Sequence, residues 1–183
     1  MFTMPETITY ALPELIGNTD LFVGRKKEFD YFLGVWYNRL IGNMAQSQAI
    51  VARRKKGKTA FLQRLFNILW SCPESKVIQF YYSIKDLNIT LAEFAKSFFA
   101  TFTNHYLSFL ERNVEYLQHP YSFELLDTLI EKAPELRRHY ESIKKSKAEN
   151  EWGLMWEAAS RAPSEIAVTQ KIKIVQIIDE FQN

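Results

Sequence analysis

"VARRKKGKTAFL", residues 51–62, sets the five cations Arg53, Arg54, Lys55, Lys56 and Lys58 between two apolar runs. It is either a solvated basic patch for a polyanion or a loop folded around one phosphate chain. Residues 52–59, Ala52-Arg53-Arg54-Lys55-Lys56-Gly57-Lys58-Thr59, fit the phosphate-loop pattern G-x-x-x-x-G-K-[ST] with Ala52 in the first glycine's place. That chemistry needs a sharp turn after a strand, so that successive N–H groups converge on phosphate oxygens. Gly57 allows close backbone approach and a conformation that a Cβ resists. Lys58 then reaches the β- and γ-phosphates and Thr59 offers a hydroxyl to Mg²⁺. The main chain of Arg54, Lys55, Lys56, Gly57, Lys58, Thr59 and Ala60 lies at the positive end of the following helix. If the first position needs a positive φ, Ala52 costs on the order of 1 kcal/mol; if it needs only a small side chain, the exchange is nearly neutral.

The flanks supply the context the motif demands. "SQAIV" (47–51) predicts a short strand, and "KTAFLQRLFNILW" (58–70) a helix with Phe61, Leu62, Leu65, Phe66 and Leu69 inward, stopped by Pro73. Upstream, residues 1–20 read as an extended arm. Arg25 to Ile41 reads as a helix with Phe29, Phe32, Leu33, Trp36, Tyr37 and Leu40 on one stripe, and Gly42 and Asn43 at its end. Downstream, "KVIQFYYSI" (76–84) is β-branched and aromatic, hence a strand. Thr90 and Glu93 form a capping box that opens a helix expected to reach Leu117. Residues 121–162 read as helical, interrupted at Pro134 and closed near Pro163. Within them "ELRRHYESIKKSKAENE" (135–151) is polar nearly all round, which predicts a solvated helix or a mobile connection. "KIKIVQII" (171–178) is a last strand. Strands alternating with helices predict an α/β chain with a parallel sheet and crossover helices. The expected division is an arm, residues 1–20, and an α/β part, residues 21–183, with a helical insertion at about 85–165.

The last strand ends in Asp179 and Glu180. A phosphate site needs a carboxylate at the end of a neighbouring strand to hold Mg²⁺, and Asp179 is that candidate. Adjacent strand residues point to opposite sides, so Glu180 can orient an attacking water while Asp179 serves the metal. Gln176 stands mid-strand where an aliphatic residue is expected. A buried amide without partners there costs about 1–3 kcal/mol.

Composition narrows the functional classes. The chain has 183 residues, 47% hydrophobic and 24% charged, enough for a sizeable core. A net charge of +2 leaves any nucleic-acid role to the local basic loop 53–58. Cys72 is the single cysteine, and His105, His119 and His139 are scattered, so neither an intrachain disulfide nor zinc-ligand spacing exists. No apolar run approaches the roughly 20 residues of a membrane helix, and "MFTMPETITYALPEL" (1–15) lacks the basic n-region of a signal peptide. The expectation is a soluble, cytoplasmic protein without membrane contact. The 14 Phe, 9 Tyr and 4 Trp fall mostly at helical core spacing, which is packing rather than a base-stacking surface. Ser, His and Asp form no nucleophile arrangement.

"LFVGRKKEF" (21–29), then "ARRKKGKT" (52–59), then "IVQIIDEFQN" (174–183) together resemble the N-terminal part of AAA-type P-loop ATPases of the archaeal and STAND kind. The helices between these stretches match no signature of that family. The resemblance implies a P-loop NTPase-type parallel sheet with flanking helices, ATP and Mg²⁺ as cofactors, and Lys58 and Glu180 as catalytic groups. It implies Thr59 and Asp179 as metal ligands, and Val23, Gly24 and Arg25 at the base pocket. Lys26 stands where the family usually has Glu. The family's sheet order places a sensor strand between the loop strand and the DE strand. That strand comes later in sequence than DE, so it is expected to be missing, with the sensor residues, the arginine finger and the helical lid. Three outcomes follow: a fragment of a longer product, which is the expectation; collapse of the two strands onto each other; or another chain in the gap.

The functional expectation is ATP binding, with Mg-dependent hydrolysis only in a complete domain and slow or absent turnover by this chain. One alternative is a nucleotide-dependent switch or interaction module without turnover, its helices between residues 90 and 162 offering surface for a protein partner or self-association. Another is nucleic-acid binding through the basic loop.

Overall fold

The computed structural model describes residues 2–16, 22–53, 55–72, 74, 77–84 and 89–180. They fall into two units, residues 1–75 and 76–183.

In the second unit, the β-branched and aromatic run forms β1, Val77–Ser83, and the last apolar run forms β2, Lys173–Asp179. They pair in parallel, Val77 opposite Lys173 and Ser83 opposite Asp179, giving a two-stranded sheet flanked by helices. The class is α/β, as the alternation of elements predicts. The long connection consists of α4 (Leu91–Glu111), α5 (Glu115–Gln118), α6 (Asp127–Lys132), α7 (Arg137–Ala148) and α8 (Trp152–Thr169).

The Thr90–Glu93 capping box opens α4: the Glu93 N–H donates to Thr90 Oγ1 at 3.2 Å and the Thr90 N–H to Glu93 Oε2 at 3.1 Å. One face of α4 covers the sheet, with Phe80 against Phe98 and Phe102 at centroid distances of 4.9 and 5.4 Å, and Tyr82 against Phe94 and Phe98. The aromatic residues here are packing, as their spacing predicts. The helix stops at Glu111 rather than at Leu117. Arg112 takes a left-handed conformation (φ 52), and the Asn113 N–H reaches back to the Ser108 carbonyl at 3.1 Å, a reverse bond that ends a helix.

Two further expectations are corrected. Residues 135–151 are neither a solvated helix nor a mobile connection. Leu136, His139, Tyr140, Ile143 and Ser146 are buried at i, i+3, i+4 spacing, and this narrow stripe packs against α8. Pro163 does not close its helix either, since α8 runs through it to Thr169. A proline inside a helix costs about 3 kcal/mol. Packing offsets that cost, because α8 lies against both α4 and α7 and buries Met155, Ala159, Ala162 and Ile166. No described helix is long and apolar enough to cross a membrane.

In the first unit, α1 (Lys26–Phe29), a π-helical stretch (Asp30–Trp36) and α2 (Tyr37–Ile41) make up the helix expected from Arg25 to Ile41. α3, Lys58–Trp70, follows the basic loop, with Phe61, Leu65, Phe66 and Leu69 buried and Leu62 half-buried. Its expected stop at Pro73 lies outside the described residues. The strand expected at 47–51 is not formed. These residues lie in irregular chain with Val51 91% exposed. A strand exists only where a neighbour takes its backbone bonds, and no described segment pairs with this one.

The arm is present without helix or strand and is anchored along α3. Gln63 and Asn67 on one face of α3, and Ser71 at its C-terminal cap, each about one turn apart, accept the N–H groups of Leu15, Leu12 and Thr9 at 2.8–2.9 Å. Asn67 also donates to the Leu12 carbonyl at 2.9 Å, so its amide pairs with the arm as another peptide would. Between these rungs Arg64 meets the buried Glu14 carboxylate with both Nε and Nη2 and lies over the Phe22 ring.

Candidate functional site

The loop between residues 52 and 58 bends through two left-handed residues. Lys55 has φ 62, and Gly57, the N-cap of α3, has φ 73 and ψ 26. Glycine takes that region without the penalty a Cβ carries. Ala52 is not among the described residues with positive φ, so its side chain carries no such strain. Arg54 lies outside the described residues.

No side chain caps α3. The Phe61 N–H donates to the Gly57 carbonyl at 3.0 Å, while the N–H groups of Lys58, Thr59 and Ala60 meet no acceptor among the described residues. These three first-turn amides of a 13-residue helix lie beside exposed Arg53, Lys55 and Lys56, at the end of a helix that favours anions. Space around Gly57 is open: a Cβ there would meet no atom within 4 Å.

The segment at 22–25 is joined to this loop. Gly24 (φ 83) and Arg25 (φ 59) turn the chain into α1, and the Arg25 guanidinium donates to the Lys56 carbonyl and, at 2.7 Å, to Glu28. That bond holds the Glu28 carboxyl below the usual carboxylate range. Val23 is 84% exposed. The sequence set Val23, Gly24 and Arg25 at a base pocket by resemblance alone, and made no statement of a bond to the loop. The contact that joins them, guanidinium to main-chain carbonyl, leaves no trace in a motif. Nor did the sequence flag Gln63 and Asn67, though their polar spacing on the apolar side of α3 is a legible sign of a docked backbone.

Asp179 and Glu180 belong to the second unit. Asp179 ends β2 and is 4% exposed. Its Oδ2 accepts from Tyr81 Oη at 2.8 Å and its Oδ1 from the Glu180 N–H at 2.9 Å. Glu180 leaves the strand in a left-handed conformation (φ 57), so it is placed by a turn rather than by strand alternation. Gln176 is exposed, so its amide carries no burial penalty. Among the described residues no group of three or more His, Cys, Asp or Glu could hold a metal ion. Mg²⁺ usually needs only one or two protein oxygens beside waters and phosphates. Thr59 offers a hydroxyl of the kind that demand takes, while both carboxylate oxygens of Asp179, in the second unit, are already engaged.

A separate cleft of about 290 Å³ lies between α7 and α8. Its charges are largely matched among themselves, Arg161 to Glu157 at 2.9 Å and Lys145 to Glu149 at 3.9 Å, and none of the sequence-derived residues lines it. Comparison with protein-family models, with curated proteins and with solved structures finds no match to this chain.

Proposed function

We propose that this chain binds the phosphate tail of ATP through residues 54–60, in the manner of a P-loop NTPase. The observation that carries the reading is the left-handed Gly57 at the head of α3, followed by three amides that meet no acceptor among the described residues. The Lys58 ammonium serves the terminal phosphates, and Arg25 braces the loop from behind through the Lys56 carbonyl. Within the loop, Thr59 is the candidate ligand for Mg²⁺; Asp179 and Glu180, in the other unit, are candidates for the metal and for orienting water by the family resemblance alone. The activity proposed is ATP binding; the alternative is a nucleotide-dependent switch or interaction module without turnover.

The test is isothermal titration of the chain with Mg·ATP, comparing Lys58→Ala with Lys55→Ala. Loss of binding with Lys58→Ala alone supports the reading, since the other cations act through their main chain. Equal weakening by both substitutions, with RNA or DNA binding that falls steeply with salt, would favour a polyanion patch instead.

A further inference from the structure

The two edges of the sheet are treated differently. The Ile84 N–H bonds the Asp179 carbonyl at 3.0 Å, so even-numbered residues of β1 face β2 and odd-numbered ones face away. On that outer side, the Tyr81 N–H donates to Nδ1 of His105 at 3.3 Å, and the same ring bonds the Gln79 main chain. A side chain from α4 therefore occupies the edge where a third strand would add to β1.

β2 carries no such cap. By the same alternation, Ile174, Gln176 and Ile178 aim their N–H and C=O groups away from β1, and no described residue bonds them. The edge has no proline, no bulge and no central charge, the usual devices against pairing. Gln176 at its middle is exposed.

We propose that this edge binds a second copy of the chain, β2 against β2, antiparallel about a two-fold axis at Gln176. The outward groups fit that register. Gln176 faces Gln176 of the other copy and Ile174 faces Ile178, so every outward N–H meets an outward carbonyl. Charge fixes the direction. Lys171 and Lys173 lie at the start of the strand and Asp179 and Glu180 at its end. Antiparallel pairing sets unlike charges together at both ends, whereas parallel pairing would set like against like. His105 limits the product: with both β1 edges capped, assembly closes at two, forming one continuous four-stranded sheet.

The test uses the whole chain. Sedimentation equilibrium is expected to give a dimer. Gln176→Pro removes an N–H that β1 does not use, so this variant is expected to be a monomer with unchanged circular dichroism. A second variant guards against misfolding. With Cys72→Ser as background, Gln176→Cys places two thiols across the axis at a Cα separation of about 5.5 Å, within disulfide range. It is expected to cross-link under mild oxidation, while Ile174→Cys, roughly 13 Å from its own copy, does not. A monomer at all concentrations overturns the proposal, including one whose Gln176 amide is protected from exchange by another segment or partner. So do open-ended oligomers, or equal cross-linking at positions 174 and 176.

Discussion

Tyr81 Oη donates to Asp179 Oδ2 at 2.8 Å, joining β1 and β2 through side chains on one face of the sheet. Both residues are buried. Burial first, and then the bond to the carboxylate, pushes the phenol far above its ordinary range, so Tyr81 remains a donor throughout the accessible pH range.

Tyr81→Phe removes that donor and leaves Oδ2 of a buried carboxylate short of a partner. The expected loss of stability is about 1–3 kcal/mol, read as a lower urea midpoint with an unchanged slope. A midpoint equal to the parent's would mean that the bond carries no weight.

His105 gives the fold a pH dependence. Burial lowers its pKa from 6.5 to about 3, so the native ring stays neutral. Between those two values the unfolded chain binds a proton that the native one does not. Stability from this group is therefore complete above pH 6.5 and declines by about 1.4 kcal/mol per unit as pH falls towards 3. His105→Gln keeps a group that can both accept from Tyr81 and donate to Gln79. Its stability is expected to fall less between pH 7.5 and 4.5 than the parent's, and parallel curves would refute the assignment.

Asn67 is fully buried and joins α3 to both main-chain groups of Leu12. Asn67→Ala orphans that N–H and C=O. It is expected to cost about 1–3 kcal/mol for each group that fails to find water. Limited proteolysis should then cut within residues 2–16 first, with α3 retained. Unchanged resistance would show that Gln63 and Ser71 suffice.

Gly57 and Ala52 make a paired test of the loop. Gly57→Ala forces a Cβ into the left-handed region and is expected to lower stability by about 1–2 kcal/mol. Ala52→Gly is expected to bring no gain, because Ala52 does not need positive φ. Thermal unfolding of both variants distinguishes the two positions, and a gain from Ala52→Gly would place the strain at the wrong residue.

Much of this architecture could be read from local signals. The capping box at Thr90, β1 with its aromatic face and the apolar run of β2 each rest on residue types within one segment, and each formed as expected. The expectations that failed depended on neighbours. Residues 47–51 have strand composition but no partner among the described residues. Pro163 should break a helix, yet the packing of α8 on α4 and α7 holds it. The stripe through His139 and Ile143 is too narrow to stand out in a polar sequence. At the candidate site the loop was legible because Gly57 has a conformational job. The Arg25 brace was not, because it binds a carbonyl that any residue could offer.

The parallel pairing of β1 and β2 joins Val77 to Lys173, 96 positions apart (173 − 77). Such a ladder must wait until the intervening helices have brought the strands together, because closing so long a loop loses entropy before any bond repays it. Refolding from denaturant should therefore be biphasic. Helical ellipticity should recover first, and hydrogen-exchange protection of the sheet should follow more slowly.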